Sequence, residues 1–142
     1  MQQVEESANW VGAVIEREIS LCGDASKVAV AGFSHGGVVA LYAALTKLSQ
    51  PLGCAVSVGA PAVLPDLLGR KIKPHLRSTP VHCLAGAADA VFPVGDQRAV
   101  VETVLSAALP SANFKEIPYG QHEVGGLEIG ALADVFADCV KL

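Results

Sequence analysis

At 142 residues and 51% hydrophobic, the chain has the size of one domain and ample apolar material for one core, so a single domain over residues 1–142 is expected. With 10 basic against 14 acidic residues the net charge is only -4 and no block of like charge stands out, which argues against nucleic acid as a partner. The start, Met1 to Glu6, has neither a basic stretch nor an apolar run before a cleavage site, and no later run approaches membrane-spanning length; a soluble, cytoplasmic protein without a spanning segment is the expectation.

In chain order, Glu5 to Ser20 carries Trp10, Val11, Val14, Ile15 and Ile19 at the three-to-four spacing of an amphipathic helix, with Gly23 just past its end. Lys27 to Ala31 is a short apolar, β-branched run that reads as a strand buried on both faces, and it leads straight into Gly32. Gly36 to Leu48, rich in small and aliphatic residues, suits a helix packed closely on a sheet and stopped by Pro51. Cys54 to Val58 reads as a second strand. Gly59 to Thr79, punctuated by Pro and Gly and carrying a basic patch, reads as a long surface excursion. Val81 to Leu84 (strand), Asp96 to Ala108 (helix), Asn113 to Ile117 (strand) and Val124 to Val140 (helix) complete the chain. Alternation of this kind implies an α/β doubly wound architecture, with about four parallel strands covered on both faces by helices.

The four cysteines, Cys22, Cys54, Cys83 and Cys139, are widely spaced and lack the Cys-x-x-Cys or paired-His pattern of a zinc site, so they are expected as buried, reduced thiols.

In a parallel sheet, sites form beyond the carboxyl ends of the strands. Three loops there form a set. The first is Gly32-Phe33-Ser34-His35-Gly36, followed by Gly37. Glycines flanking a serine between a buried-type strand and a small-residue helix make the strained turn that exposes the hydroxyl, the nucleophile elbow of an α/β-hydrolase. The backbone N–H of His35 then lies at a helix N-terminus, where a tetrahedral oxyanion would form. An ordinary glycine turn is the plainer alternative, and dinucleotide-binding spacing does not match. The second loop, Ala85 to Pro93, holds one carboxylate, Asp89, in apolar surroundings that call for a partner such as an imidazole. A helix-capping role is its alternative, and the nearby Asp96 looks like the better N-cap. The third loop, Pro118 to Glu123, presents His122. Ser34, Asp89 and His122 follow the Ser…Asp…His order of that fold. Elsewhere, His35 is too close in sequence to be the base, His75 is expected solvated, His82 hydrogen-bonded in the core, and Glu123 structural.

Taken together, these motifs resemble those of the acyl-protein thioesterase, lysophospholipase and carboxylesterase family of α/β-hydrolases. Lys27 to Leu41 resembles the family's elbow, which usually has Gln where His35 stands; Gly86 to Pro93 resembles its acid loop, where a His commonly replaces Ala85; Tyr119 to His122 resembles its histidine loop. The resemblance implies Ser34 as nucleophile, His122 as general base and later acid, and Asp89 as the group orienting His122. It also implies a fatty acyl ester or thioester as substrate, carried by a small molecule, a lysophospholipid or an acylated protein, with water completing the reaction and no cofactor or metal.

The family's sheet has further strands before the elbow strand, and a loop among them supplies a second oxyanion donor. An N-terminally truncated hydrolase domain is therefore expected. The missing donor would cost on the order of a hundredfold to a thousandfold in rate, and the elbow strand would become an open sheet edge prone to self-association. A catalytically impaired module acting in binding or protein interaction is the competing reading.

Overall fold

Alternating strand-forming and helix-forming segments build a parallel sheet in the computed structural model, which describes residues 2–61 and 71–140 and only the backbone of residues 104–106. Helix α1 (Gln2–Cys22) buries Ala8, Gly12, Ile15 and Ile19. This stripe is narrower than the sequence pattern implies: Trp10 is 78% and Val14 54% exposed. Gly12 decides which face turns inward, because a Cβ there would stand 2.9 Å from Lys47 Cβ, so α1 lies down where its side chain is absent. At the other end Gly23, at φ +77, donates its N–H to Ile19 C=O at 2.8 Å, the left-handed cap that closes many helices.

The elbow strand starts two residues later than its apolar pattern suggests. The Asp24 carboxylate accepts from the Ser26 N–H at 3.0 Å and from its hydroxyl at 2.7 Å, and this cap winds Ala25–Lys27 into a 3-10 turn. Strand β1 (Ala29–Phe33) follows, then α2 (His35–Thr46) and β2 (Cys54–Val58). Beyond them come β3 (Val81–Gly86), α3 (Val94–Val100), β4 (Ala112–Ile117) and α4 (Gly126–Cys139). One π-helical turn, Val101–Leu105, and a short turn at Ser106–Ala108 prolong α3 over the length expected for a single helix.

All three strand pairings are parallel and the strand order is β1-β2-β3-β4. Every residue of β2 is buried, whereas β1 is only half-buried and Ala31 is exposed. A strand covered on both faces was expected at β1. Among the described residues it pairs on one side only, so α2 covers part of it and one edge stays open.

One core layer joins Ile15 and Ile19 of α1, Leu41 and Leu45 of α2, and Ala55, Val81 and Cys83 of the sheet. A second, on the opposite face, joins Cys54, Val56, Val58, Leu84 and Ile117 to Ala131 and Val135 of α4. Part of the stretch read as a surface excursion, 62–70, lies outside the described residues. Its later half is not all surface: Ile72, Leu76 and Thr79 are buried, and the Thr79 hydroxyl accepts from the Leu52 N–H at 3.3 Å. His75, expected solvated, is exposed but has its Nε2 3.2 Å from Leu48 C=O.

All four cysteines are free. Cys54 and Cys83 are buried as expected, and burial pushes the Cys83 thiol up to about 11. Cys22 is exposed and Cys139 half-buried, because they end helices whose last turns reach the protein surface. No described helix is long and apolar enough to cross a membrane.

Candidate active site

The loops after β1, β3 and β4 meet at the carboxyl edge of the sheet. Ser34 sits between β1 and α2 at φ 53 and ψ -129, a backbone state that non-glycine residues rarely adopt. Holding a residue there costs of order 1–3 kcal/mol, and the surroundings impose it. The Ser34 N–H donates to Val58 C=O at 2.8 Å, and its own C=O accepts from the Gly37 N–H at 2.9 Å. Gly32 makes the turn sterically possible, since a Cβ there would come within 2.0 Å of Gly36 O. Gly36 itself faces open space. Gly37 is the other tight position, 3.0 Å from Ser57 Cβ where α2 meets β2.

The structure brings Ser34, Asp89 and His122 together. His122 Nε2 lies 3.1 Å from Ser34 Oγ and His122 Nδ1 lies 2.9 Å from Asp89 Oδ2. Both contacts are satisfied by one tautomer, in which Nδ1–H donates to the carboxylate and Nε2 accepts the serine hydroxyl. The imidazole is held between two rings, Phe33 at 4.8 Å and Phe92 at 5.2 Å between centroids. His122 is 16% exposed at its side chain and Asp89 fully covered.

Asp89 meets the imidazole its apolar loop calls for, and instead of capping a helix it caps the turn that follows it. Its Oδ1 accepts from the N–H groups of Val91 at 2.9 Å and Phe92 at 2.8 Å, as a turn-capping aspartate does, while Oδ2 faces His122. Burial pushes its carboxyl upward, but the Phe92 N–H, the His122 hydrogen bond, the Val91 N–H and the imidazole charge outweigh this and hold it below the usual carboxylate range. The ionised form is therefore stabilised by folding, in a contribution present above the ordinary carboxylate pKa and lost as pH falls through the lowered one. As pH falls from 7 through the carboxylate range, Asp89→Asn is expected to lose less stability than the parent chain, the difference arising below the ordinary carboxylate pKa and measured by urea unfolding at each pH.

Asp96 does not cap its helix. Helix α3 begins two residues earlier, with Pro93 at the N-cap position, and Asp96 sits in its first turn, where the helix dipole favours a carboxylate. His35, at the first position of α2, is exposed, its ring edge-on to Phe92 at 6.1 Å. Its N–H heads the helix, where no earlier turn offers a helical acceptor. His82 is half-buried rather than in the core and lies at the opposite end of the sheet.

Four residues that sequence reasoning passed over hold this arrangement. Gly59, directly after β2 at φ +57, packs on the imidazole: a Cβ would lie 3.3 Å from His122 Nδ1 and 3.5 Å from Asp89 Oδ2. Gly86 lets the acid loop touch the histidine loop, since its Cβ would fall 2.3 Å from Gly120 O, a carbonyl that accepts from the Ala88 N–H at 2.8 Å. Gln97, buried on α3, donates to Phe92 C=O at 2.7 Å and lies 3.5 Å from Asp89 Oδ2. Glu128, buried, accepts from the Gly125 N–H at 3.0 Å and fixes the exit of the histidine loop into α4. Only the glycines had a signal in the sequence, as the residues closing β2 and β3. Gly59→Ala is expected to cost about 1–2 kcal/mol through its left-handed backbone and to displace the His122 ring, seen as a shifted imidazole resonance by NMR.

A family model described as phospholipase/carboxylesterase matches residues 1–139. The chain belongs to that family. Its fold is that of the α/β-hydrolases, as solved structures also indicate. A variant of SOBER1 from Arabidopsis thaliana superposes with a TM-score of 0.86 at 20% identity, over 99% of this chain and 67% of that one. Acyl-protein thioesterase 2 from Zea mays gives 0.73 at 18% identity, over 94% and 65%. The esterase PE8 gives 0.73 at 22%, over 93% and 61%. This member of the phospholipase/carboxylesterase family thus spans roughly two thirds of the length of these proteins.

Proposed function

We propose that the protein is a serine hydrolase that cleaves carboxylic esters or thioesters of fatty acyl groups through an acyl-enzyme on Ser34. The observation that carries this reading is the unbroken relay Ser34 Oγ, His122, Asp89, with contacts of 3.1 and 2.9 Å. His122 Nε2 takes the hydroxyl proton as Oγ attacks the acyl carbon, and the imidazolium that results is stabilised by the ionised Asp89. The His35 N–H, at the head of α2, is the oxyanion donor we assign among the described residues. His122 then passes its proton to the leaving alcohol or thiol, and a water activated by the same imidazole releases the acid and restores Ser34. Chemistry of this kind is complete without a metal or an organic cofactor. An apolar acyl group suits the surroundings, where Phe33 and Phe92 flank the imidazole and Val91 and Tyr119 are exposed on the two loops.

A fluorophosphonate probe tests the reading: we expect one covalent adduct on Ser34 and none in Ser34→Ala. A folded chain that takes no label would overturn it.

A second reading, self-association of an impaired hydrolase module, draws on a different observation. Along the open edge of β1 runs an apolar groove of about 440 Å³ lined by Trp10, Val14, Val28 and Val30, beside backbone groups without a strand partner among the described residues. A second copy laid edge to edge would cover it. Sedimentation as a dimer that Trp10→Glu converts to monomer supports this reading, and a monomer at all concentrations rejects it.

A further inference from the structure

The end of the sheet remote from Ser34 carries a second set of reactive side chains. Cys54 opens β2, while His82 and Asn113 are register partners near the starts of β3 and β4. Cys139 closes α4, and the helix brings it down onto this corner. Its Sγ lies 3.1 Å from His82 Nε2. The other ring nitrogen, Nδ1, lies 3.1 Å from Asn113 Oδ1 and 3.0 Å from Asn113 Nδ2. Either amide atom of Asn113 can pair with Nδ1; when the oxygen accepts from Nδ1–H, Nε2 is the acceptor facing the thiol, and in that tautomer His82 can take the Cys139 proton. Beside it, Cys54 is fully buried in the layer against which Cys139 packs.

We propose that Cys139 is a peroxide-reactive thiol, activated by His82 and captured by Cys54 as an intramolecular disulfide.

The two thiols have different environments. Cys139 is half-buried, so part of its surface is open to a small oxidant from solvent. Cys54 is shut off: burial first, then the charge and hydrogen bond of Cys139, push its thiol up to about 12. Cys139 is accordingly the thiol that meets oxidant and Cys54 the one that resolves. In the first step His82 takes the Cys139 proton and the thiolate attacks one oxygen of hydrogen peroxide. The S–O bond forms, the O–O bond breaks, and the departing hydroxide leaves as water with the proton from His82. In the second step the Cys54 sulfur attacks the sulfenic acid. The S–S bond forms, the S–O bond breaks, and the hydroxyl leaves as a second water with the Cys54 proton. The two thiols supply two electrons, hydrogen peroxide accepts them, and no other reactant is required. Nothing in this chemistry uses Ser34.

The full chain, treated with one equivalent of hydrogen peroxide, is expected to lose the mass of two hydrogens and to yield a Cys54–Cys139 linked peptide that dithiothreitol separates. In Cys54→Ala, dimedone should trap the sulfenic acid on Cys139. His82→Asn should slow alkylation of Cys139 by about tenfold or more, with the exposed Cys22 as an unchanged internal reference. The link is sought in the unaltered chain, so it can be read even if Cys54→Ala fails to fold. Oxidation that joins or consumes Cys22 while Cys54 and Cys139 stay reduced overturns the proposal, as does an unaltered Cys139 rate in His82→Asn.

Discussion

Replacing Ser34 or His122 by Ala is expected to lower kcat for a fatty acyl p-nitrophenyl ester by roughly 10⁶-fold, and replacing both should cost no more than either alone. In the proposed mechanism the two groups act as one unit, because a serine hydroxyl without a base on its proton is a poor nucleophile and an imidazole without the hydroxyl has nothing to activate. Asp89→Asn should cost about 10⁴-fold. Asparagine keeps the shape and can still accept the Val91 and Phe92 N–H groups through its oxygen, but it turns a donor toward His122 or forces the other tautomer. A titration of kcat in the single and double variants checks this; additive losses would separate the residues and remove the relay from the mechanism.

Gly32→Ala is expected to destroy the site and Gly36→Ala to leave it working. The motif treats the two glycines alike, yet their surroundings differ. A methyl group on Gly32 would penetrate the Gly36 peptide, with 2.0 Å to its oxygen and 2.3 Å to its carbonyl carbon, both rigid backbone atoms. Relief requires α2 to back away from β1, which would take Ser34 from His122 and open the layer where Leu41 and Leu45 are buried. A loss of more than about 4 kcal/mol, in the range that marks severe packing faults, should appear as a large fall in the urea midpoint together with loss of probe labelling. On Gly36 the same methyl group meets no atom within 4 Å and sits in the first turn of a helix, where Ala is favoured over Gly by roughly 0.5–1 kcal/mol. Equal damage from both substitutions would show that the turn depends on flexibility rather than on this contact.

The elements were legible because local chemistry decides them. Cys54–Val58 is apolar apart from Ser57 and buried throughout, with the bounds its pattern suggests, and Gly23 closes α1 as a left-handed cap should. Boundaries moved where a side chain competes with the backbone: Asp24 winds Lys27 into a 3-10 turn and delays β1. The face of α1 was misread for a different reason. Trp10 and Val14 have the right spacing for burial, but the inward face is the one where Gly12 admits Lys47, and that contact spans two helices.

For the site, the sequence by itself determined which residue types stand after which strands, hence Ser34, Asp89 and His122 as candidates and the family to which the chain belongs. Tertiary structure alone decided their distances and what holds them. Gly59 against the His122 ring and Gly86 against Gly120 act across loops from different strands, and Gln97 reaches back from α3 to Asp89. The same holds for Cys54, His82, Asn113 and Cys139, which no spacing in the chain would group. A sequence pattern records what each residue can do within its own element, whereas contact between elements depends on register, crossing and packing, which are settled only when the sheet assembles.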